Sequence, residues 1–383
     1  MDHYSVIVIG GGTMGTAAAW ELGKRGERAI VFEQFGHVHT MGAHSGQTRV
    51  IRHAYAEGAG YIPLVLRADE LWEELEAEAR IKVLHRVGAL EISTGLGSDH
   101  AQRARASAAL HNVPFEWLDA DEIRRRWPQF QIGDDWEAGF GDRSGFLEVE
   151  PALRAMASSA RSRGVEIREH EPAQAWGTDG EGVWVQTEQG RYTADRLIVT
   201  PGSWAGRMLP DLGLPITVVR KTLFWLEVKE PTRFDPAGFP VFIADRPGLE
   251  LYGFPIFGQP GLKCANHAGG EPTTVETVDR TVRPEEEPEI LDAAGWLFGP
   301  EQFTGRVLLC AVCLYARTPD HDFAIDRHPE YPNVVIGAGF SGHGFKFTPA
   351  VGEHLVQLAL DDSNPLELFS LNRFAATGIR ATT

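Results

Sequence analysis

The chain has 383 residues, of which 43% are hydrophobic and 23% are charged, a composition typical of globular proteins. The net charge of −17 and the lack of a basic stripe exclude a nucleic-acid-binding role. No apolar run reaches the ~20 residues that span a bilayer, and no signal peptide is recognisable, so no membrane association and a cytoplasmic location are expected. The length predicts two joined domains, and three cysteines do not indicate a disulfide framework.

The N-terminus carries the pattern of a strand, a glycine turn and a helix. Residues 5–9 form a short β-branched run, which is typical of a buried parallel strand. The glycine-rich segment 10–15 leads into an alanine-rich helix, and residues 28–32 form a second strand that ends at Glu33. This order predicts a Rossmann-type βαβ unit that binds the ADP half of a dinucleotide.

Each glycine of the predicted unit has a separate role. Gly10 permits the tight turn, Gly12 lets the backbone approach a pyrophosphate, and Gly15 lets the helix pack closely on the strand. Glu33 lies 23 residues after Gly10, where an acidic residue accepts the ribose hydroxyls and disfavours NADP. The motif does not separate FAD from NAD, and a glycine turn in an unrelated α/β protein is the alternative interpretation.

Beyond the βαβ unit, α/β-like segments alternate with β-rich ones. Residues 39–58 are polar and lack a regular period, and an irregular stretch of this length in a compact domain is usually functional or disordered. Residues 62–80 predict a helix, whereas 87–95 and 130–150 predict strands and loops of a second module. The basic run 124–126 lies beside acidic residues and is interpreted as a solvated helix face.

The second half of the chain continues this alternation. The predicted elements are a helix over 151–164, a strand over 165–167, a hairpin around 189–190, a strand over 197–200, antiparallel sheet over 240–266, and a strand at 333–336 followed by a helix to 360. The fold class is therefore α/β plus α+β, with a Rossmann-type domain and a mixed antiparallel-sheet substrate domain. The expected boundaries are 1–85, 145–220 and 320–383 for the first domain, and 86–144 and 221–319 for the second.

Long segments of the chain resemble the family of monomeric sarcosine oxidase and N-methyltryptophan oxidase. The resemblance covers nearly the whole chain, and several shared segments are too long and unusual to match by chance. They are the N-terminal fingerprint, HTMGAHSGQTRVIRHAYAEG at 39–58, RWPQF at 126–130, YGFPIFGQPGLK at 252–263, CAVCLYARTPD at 310–320 and GAGFSGHGFKF at 337–347.

The resemblance implies a two-domain flavoprotein with covalently bound FAD that oxidises secondary amines and passes the electrons to oxygen. The chain is then expected to act as a monomer on a small amino-acid substrate such as sarcosine and on O2, yielding an amino acid, formaldehyde and hydrogen peroxide. Oxidation of a cyclic or glycated amine, such as L-pipecolate, L-proline or a fructosyl amino acid, is an alternative. A flavin dehydrogenase or a flavin-holding binding subunit is the alternative outside the oxidases.

Cys313 matches the family cysteine that carries FAD through an 8α-thioether. Without the resemblance, Cys310 and Cys313 could form a redox or metal-binding pair, although no second CxxC motif points to zinc. The surrounding residues predict a strand, on which residues three apart face opposite sides, so only one thiol can face a cofactor. Cys310 is interpreted as a small buried hydrophobe.

Two cations match family positions near the flavin. Lys263 matches a lysine held near flavin N5, where a preorganised cation favours the negative charge that O2 acquires on reduction. Arg49 matches an arginine whose charge favours the anionic reduced ring. A solvated surface lysine is the alternative interpretation of Lys263.

Arg52 and Lys346 match the pair that grips the substrate carboxylate. A guanidinium fork and an ammonium suit this anion and orient the α-carbon toward the flavin, and structural ion pairs are the alternative. Gly342 matches a position whose carbonyl contacts the substrate amine. The loop through Gly344 is expected to bring backbone N–H groups to the flavin edge.

Tyr252, His267 and Tyr315 match further active-site positions, and Ser45 and Thr48 are expected to contact the cofactor. His267 is interpreted as a residue that tunes the polarity of the site and the pKa of the amine, rather than as a strong base. A structural histidine of the core is the alternative.

The chain departs from the family pattern at three positions. Many relatives carry His-His-Gly-Asp-Thr where residues 44–48 of this chain are His-Ser-Gly-Gln-Thr. Ser45 therefore lacks an imidazole near the flavin, and Gln47 lacks a negative charge. Ile243 replaces a methionine at a substrate-pocket position. Activity is expected to persist because the arginines remain, whereas the flavin potential, the pH profile and the pocket size are left open.

Overall fold

The structure is a computed structural model that describes residues 3–96, 99–361 and 363–376. The helices are α1 (Thr13–Arg25), α2 (Ile62–Ala79), α3 (His100–Leu110), α4 (Ala120–Arg126), α5 (Val149–Ser162), α6 (Ala205–Met208), α7 (Glu286–Phe298), α8 (Thr348–Leu360) and α9 (Asn372–Ala376). Short 3₁₀ turns occupy Ala59–Tyr61, Gly202–Trp204, Pro210–Leu212, Pro231–Phe234, Pro300–Gln302, Phe345–Phe347 and Glu367–Phe369.

The strands contribute to three sheets. In chain order they are β1 (His3–Ile9), β2 (Ala29–Phe32), β3 (Thr48–Ile51), β4 (Leu84–His85), β5 (Ala89–Ser93), β6 (Glu116–Leu118), β7 (Glu137–Gly141), β8 (Gly145–Glu148), β9 (Glu166–Arg168), β10 (Ala175–Thr178), β11 (Val183–Gln186), β12 (Arg191–Val199), β13 (Thr217–Val228), β14 (Val241–Arg246), β15 (Leu249–Phe254), β16 (Leu262–Asn266), β17 (Glu271–Thr273), β18 (Phe303–Arg317), β19 (Ala324–Arg327) and β20 (Val334–Ala338).

The first sheet is built on the predicted βαβ unit. Its order is β10-β11-β12-β1-β2-β9, with β20 beside β12 and β19 beside β20, and β1 runs parallel to both β2 and β12. Successive side chains of β1 point to opposite faces of the sheet, and both faces are buried, as is typical of parallel strands. Val6 and Val8 belong to the core formed with α1, α5 and α8, whereas Ile7 and Ile9 belong to the core on the opposite face.

The second sheet has the order β17-β13-β16-β15-β14-β5-β7-β6, with β18 as an edge strand paired to β13. Its neighbours are mainly antiparallel, which confirms the prediction for 240–266. One face of this sheet is an aromatic core, in which Phe224 and Phe242 pack with α7 residues such as Phe298. The other face turns toward the first sheet and carries the polar side chains described below.

The third sheet, β3-β8-β4, is small, and the sequence pattern did not predict it. The predicted helix over 62–80, the hairpin around 189–190 and the helix to 360 are confirmed by α2, by β11 with β12, and by α8. The assignment of 130–150 to a second module holds for β7, whereas β8 lies beyond residue 144, in the range expected for the first domain. That strand pairs with β3 and places Leu147 in the core of the first sheet, because its alternate residues are apolar.

The basic run is a solvated helix face, as expected. Arg124 pairs with Asp121, Arg125 with Glu122, and Arg126 with Glu116. Within residues 3–96, 99–361 and 363–376, no helix is long and apolar enough to cross a membrane.

Candidate active site

A long cavity of about 360 Å³ opens at the carboxyl ends of β1 and β2. Gly10, Gly12 and Glu33 line one part of it, and Arg49 and Gly342 line another. The crevice outside the carboxyl ends of parallel strands is where open α/β sheets bind nucleotides. The cavity therefore leads from the predicted ADP-binding unit to Arg49 on β3 and to Ala316 on β18 of the second sheet.

The glycine turn has the geometry that the sequence predicted. Gly10 has φ of +93°, and a Cβ on Gly15 would lie 1.8 Å from the Gly10 carbonyl oxygen, so helix and strand are in close contact. A Cβ on Gly12 would meet no atom within 4 Å, because this residue borders the open cavity. No side chain caps α1 at Gly12, which leaves the N–H groups of its first turn for an anion. The turn fits a pyrophosphate.

Glu33 is buried at the end of β2 and is fixed by two backbone donors. Gly11 N–H donates to Oε2 at 2.9 Å, and Phe35 N–H donates to Oε1 at 2.8 Å. Each carboxylate oxygen keeps a further lone pair, and Glu33 lines the long cavity. It is therefore oriented to accept ribose hydroxyls.

A second cavity, of about 70 Å³, meets the long cavity. Arg49, Gly342 and Phe345 line both. The smaller cavity is also lined by other predicted residues of the active site, which are Arg52, Ile243, Tyr252, His267, Cys313, Tyr315 and Lys346. The structure thus brings together residues separated by as many as 297 positions in the sequence, at the junction of a long and a small cavity.

Alternation along the strands of the second sheet explains this convergence. Ile243 of β14 and Tyr252 of β15 are direct cross-strand partners, so their side chains share a face. On β18, Cys313 and Tyr315 are two residues apart and share that face as well. We call this surface the site face. The opposite face carries Phe242 and Leu251, which belong to the aromatic core.

Cys313 is buried on the site face, with its Sγ 3.7 Å from Nη2 of Arg49 and 3.3 Å from the Ala43 carbonyl oxygen. Cys310 lies on the opposite side of the strand, as alternation predicted. The interpretation of Cys310 as a buried hydrophobe is wrong, because it is exposed. β18 is the edge strand, so part of that side is open to solvent.

Lys263 is buried on β16 and is not a surface lysine. Its Nζ donates to the Thr48 carbonyl oxygen at 2.9 Å, to Thr48 Oγ1 at 3.0 Å and to the Gly46 carbonyl oxygen. Burial and the charge of Arg49 hold the pKa of Lys263 well below its usual range. Thr48 therefore holds this lysine, and neither residue borders the two cavities.

Arg49 borders both cavities and is held by backbone oxygens rather than by a carboxylate. It donates to the carbonyl oxygens of Thr48 at 2.9 Å, Ala43 at 3.1 Å and Ser45. Ser45 is buried, and its own hydroxyl donates to the Val312 carbonyl oxygen at 3.3 Å. The guanidinium thus brings a fixed positive charge to the junction of the cavities.

Arg52 borders the small cavity but is engaged by a carboxylate of the chain itself. Its Nη2 lies 2.7 Å from both carboxylate oxygens of Glu57, and Nη1 lies 3.7 Å from Glu91. Glu57 borders the cavity too, and Arg52 holds the pKa of this carboxyl well below its usual value. A substrate carboxylate must share Arg52 with Glu57.

Lys346 has no carboxylate partner among the described residues. Its Nζ donates to the His343 carbonyl oxygen at 2.7 Å and to the Tyr55 hydroxyl at 3.2 Å. Burial, reinforced by the charge of Arg52, lowers the pKa of Lys346 to about 7. Close to neutral pH, part of the population carries an ammonium that an entering carboxylate can bind.

His267 and Tyr315 form a pair at the wall of the small cavity, with Nδ1 3.2 Å from the hydroxyl. Burial holds the pKa of His267 well below its usual range, so the imidazole is neutral. A Cβ on Gly342 would lie 2.4 Å from the Tyr315 ring, and φ of +85° also requires glycine there. Gly344 follows and borders the long cavity.

The sequence interpretation missed several residues of the small cavity. Glu57 and His343 lie inside the segments that carry the resemblance, so their position there was a usable signal. Glu250 has no such signal. It precedes Tyr252 by two residues, and only a strand with a known cavity on one side reveals its orientation.

The chain belongs to the family described as FAD dependent oxidoreductase, whose profile matches residues 5–358. Within this class it is a homologue of the monomeric sarcosine oxidases and N-methyl-L-tryptophan oxidases. It is therefore a flavin-dependent oxidase that acts on CH–NH donors.

Two relatives and one solved structure define this relationship. Monomeric sarcosine oxidase of Bacillus sp. (strain B-0618) is 39% identical over 377 residues, covering 97% of this chain and 96% of the relative. N-methyl-L-tryptophan oxidase of Yersinia pestis (strain Pestoides F) is 34% identical over 375 residues, covering 97% and 99%. L-Proline dehydrogenase from P. horikoshii superposes with a TM-score of 0.84 at 23% identity, covering 99% and 100% of the two chains. It shares the two-domain fold.

Proposed function

We propose that this enzyme demethylates N-methyl amino acids of about the size of sarcosine. This proposal rests on the small cavity of about 70 Å³. The cavity is lined by cations that can bind a carboxylate, and it joins the long cavity at Arg49, Gly342 and Phe345. This volume is the space of only a few water molecules. It suits a small amino acid better than the indole that the name of the Yersinia relative implies.

The residues of the long cavity fit FAD, together with Cys313 of the adjoining small cavity. Gly10, Gly12 and the start of α1 would hold the pyrophosphate, and Glu33 the ribose. The loop through Gly344 would border the ring system. Cys313 is the thiol on the site face and would carry the covalent link, since Cys310 points away.

Bound FAD supplies the two-electron acceptor for oxidation of the N–CH3 group to an imine, which water hydrolyses to formaldehyde and the amino acid. The chain itself binds and orients the substrate. Lys346, together with the edge of Arg52 that Glu57 leaves free, binds the carboxylate and fixes the α-carbon.

The electrostatics of the small cavity favour a neutral amine. Arg49 and Lys346 border it without a carboxylate partner among the described residues, whereas Arg52 is neutralised by Glu57, and a nearby positive charge lowers the pKa of an ammonium. His267 is neutral and hydrogen-bonded to Tyr315, so it adds no negative charge. It tunes the polarity around the amine, and the Gly342 carbonyl can accept its remaining N–H.

Lys263 supplies the cation for oxygen reduction, because its three oxygen acceptors require the three N–H donors of an ammonium and so oppose the lowering of its pKa by burial. Three oxygens of Gly46 and Thr48 fix its Nζ, so the charge needs no reorganisation when negative charge develops nearby. Hydrogen peroxide is the expected product.

We also propose that the protein is a monomer in the cytoplasm. The proposed boundaries are 1–85, 145–220 and 320–383 for the FAD-binding domain, and 86–144 and 221–319 for the substrate domain.

A substrate panel tests the proposal. Purified yellow protein is offered sarcosine, N-methyl-L-alanine, N-methyl-L-tryptophan, L-proline, L-pipecolate and a fructosyl amino acid, and peroxide and formaldehyde are measured together. We expect equal amounts of both products with the first two substrates. Peroxide without formaldehyde, from the cyclic or glycated amines only, would replace N-demethylation with the alternative chemistry.

A further inference from the structure

One carboxylate of the small cavity has no assigned role in binding or oxidation. Five charged side chains border this cavity: Arg49, Arg52, Glu57, Glu250 and Lys346. Arg52 and Glu57 neutralise each other, and Lys346 faces an entering carboxylate. Glu250 is the remaining acid of this group. Among the described residues, no hydrogen bond reaches its carboxylate.

The position of Glu250 follows from the sheet. It lies on β15 two residues before Tyr252, so both side chains are on the site face. Its side chain is 24% exposed, and the cavity is part of the space that it faces. The carboxylate is therefore accessible to a ligand that fills the cavity.

The basic side chain nearest to Glu250 is His100, which lies closer to another acid, Glu91. Nδ1 of His100 lies 3.8 Å from Glu250, whereas Nε2 of the same ring lies 2.9 Å from Glu91. Asp245 is the direct cross-strand partner of Glu250 and adds a second acid nearby. Burial raises the pKa of Glu250, and Glu57 and Asp245 add to this rise, although the charges of His100 and Arg52 oppose it.

A chain of contacts places Glu250 at the carboxylate-binding end of the cavity. Arg52 lies 3.7 Å from Glu91, Glu91 lies 2.9 Å from His100, and His100 lies 3.8 Å from Glu250. Both Arg52 and Glu250 border the small cavity, and the charge of Arg52 acts on the pKa of Glu250, so the two groups are close enough to interact. The substituent on the α-carbon, which is bonded to a carboxylate held near Arg52 and Lys346, is therefore the part of the substrate that we assign to Glu250.

We infer that Glu250 is a specificity-determining residue, selecting N-methyl amino acids whose short side chain ends in an amino or hydroxyl group. This inference rests on the proposed function and narrows its substrate class. A donor on the side chain supplies the hydrogen bond that the carboxylate lacks, and a cationic donor supplies an ion pair as well. The cavity volume limits the side chain to a few atoms.

Three substrates of matched shape test the inference. N-methyl-L-2,3-diaminopropionate, N-methyl-L-serine and N-methyl-L-2-aminobutyrate differ only in ending with an amino, a hydroxyl or a methyl group. We expect kcat/KM, relative to sarcosine, to fall in that order by about tenfold overall, the usual effect of a charge-assisted hydrogen bond. Glu250→Gln removes most of this preference, whereas Glu250→Asp keeps its direction.

Two further variants separate recognition from a structural role. Glu287→Gln alters an exposed acid of α7 and keeps the preference. If Glu250 served only to hold His100, His100→Asn would remove the preference as fully as Glu250→Gln. Equal kcat/KM ratios in the wild type and Glu250→Gln, or equal losses in His100→Asn, overturn the inference.

A binding measurement keeps this inference separable from the proposed reaction. β-Alanine and butyrate have the same shape, and their Kd values are read from the perturbation of the flavin absorbance. We expect β-alanine to bind about tenfold more tightly than butyrate to the wild type, and equally well to Glu250→Gln. A wild type that shows this preference but oxidises no N-methyl amino acid would refute the proposed function alone. Equal Kd values in the wild type would refute the role of Glu250.

Discussion

The two ends of the proposed cofactor site are built from different parts of the chain. The ADP end uses backbone groups from one continuous segment, in which Gly10, Gly12 and the start of α1 lie within a few residues of each other. The proposed flavin end instead draws on side chains such as Cys313 and Lys263, which come from separate strands of another sheet. Substitutions at the first end should weaken retention of FAD, whereas those at the second should change chemistry.

The largest expected effect concerns the covalent link. Cys313→Ser should release all of the flavin into the supernatant when the protein is precipitated with acid, because no thioether can form. Cys310→Ser is the matched control on the same strand, and its pellet should stay yellow because this thiol points away from the cavity. A yellow Cys313→Ser pellet would move the attachment site to another residue.

The next largest effect concerns oxygen. Lys263→Met should slow reoxidation of the reduced enzyme by about 10²–10³-fold, the usual result of losing a preorganised charge. Anaerobic reduction by substrate should change little, because Lys263 borders neither cavity. Stopped-flow absorbance measures both half-reactions, with Lys229→Met as the control on an exposed lysine. Equal slowing of both half-reactions would refute the assigned role.

The pH dependence of anion binding tests Lys346. Because the pKa of Lys346 is lowered to about 7, the ammonium is fully charged only below this pH and is lost as the pH rises. Bound carboxylate favours the charged form, so the Kd of acetate should rise by about tenfold per pH unit above 7. Acetate has no amine, which avoids a second titration. Lys346→Met should bind weakly at every pH, and a steep profile in that variant would assign the titration elsewhere.

The smallest effect concerns the glycine turn. Gly12→Ala should raise the Kd of FAD by several-fold, about 1 kcal/mol, because the new methyl enters space beside the pyrophosphate. The measurement uses the Cys313→Ser background, in which binding is reversible. Gly206→Ala is the control, since its Cβ also meets no atom within 4 Å but lies outside the cavity. Unchanged FAD affinity in Gly12→Ala would move the pyrophosphate away from this turn.

The same contrast explains what could be predicted from the sequence. The turn at Gly10 and the acceptor Glu33 are local features, so their spacing alone predicted the βαβ unit that the structure confirms. The contact between Arg49 and Cys313 joins strands of two different sheets across 264 positions, and only the family resemblance placed these residues together. The pairing of Arg52 with Glu57 and the exposure of Cys310 depend on side-chain geometry and on a sheet edge, which no spacing encodes.

The division of the second sheet into two faces has a consequence for protein engineering. On β14 and β15, Ile243, Glu250 and Tyr252 face the cavity, whereas Phe242 and Leu251 hold the sheet to α7. A combinatorial library restricted to the first three positions can therefore vary substrate range while leaving the aromatic core unaltered. Along these two strands, residues that can change the activity therefore alternate with residues that keep the domain folded.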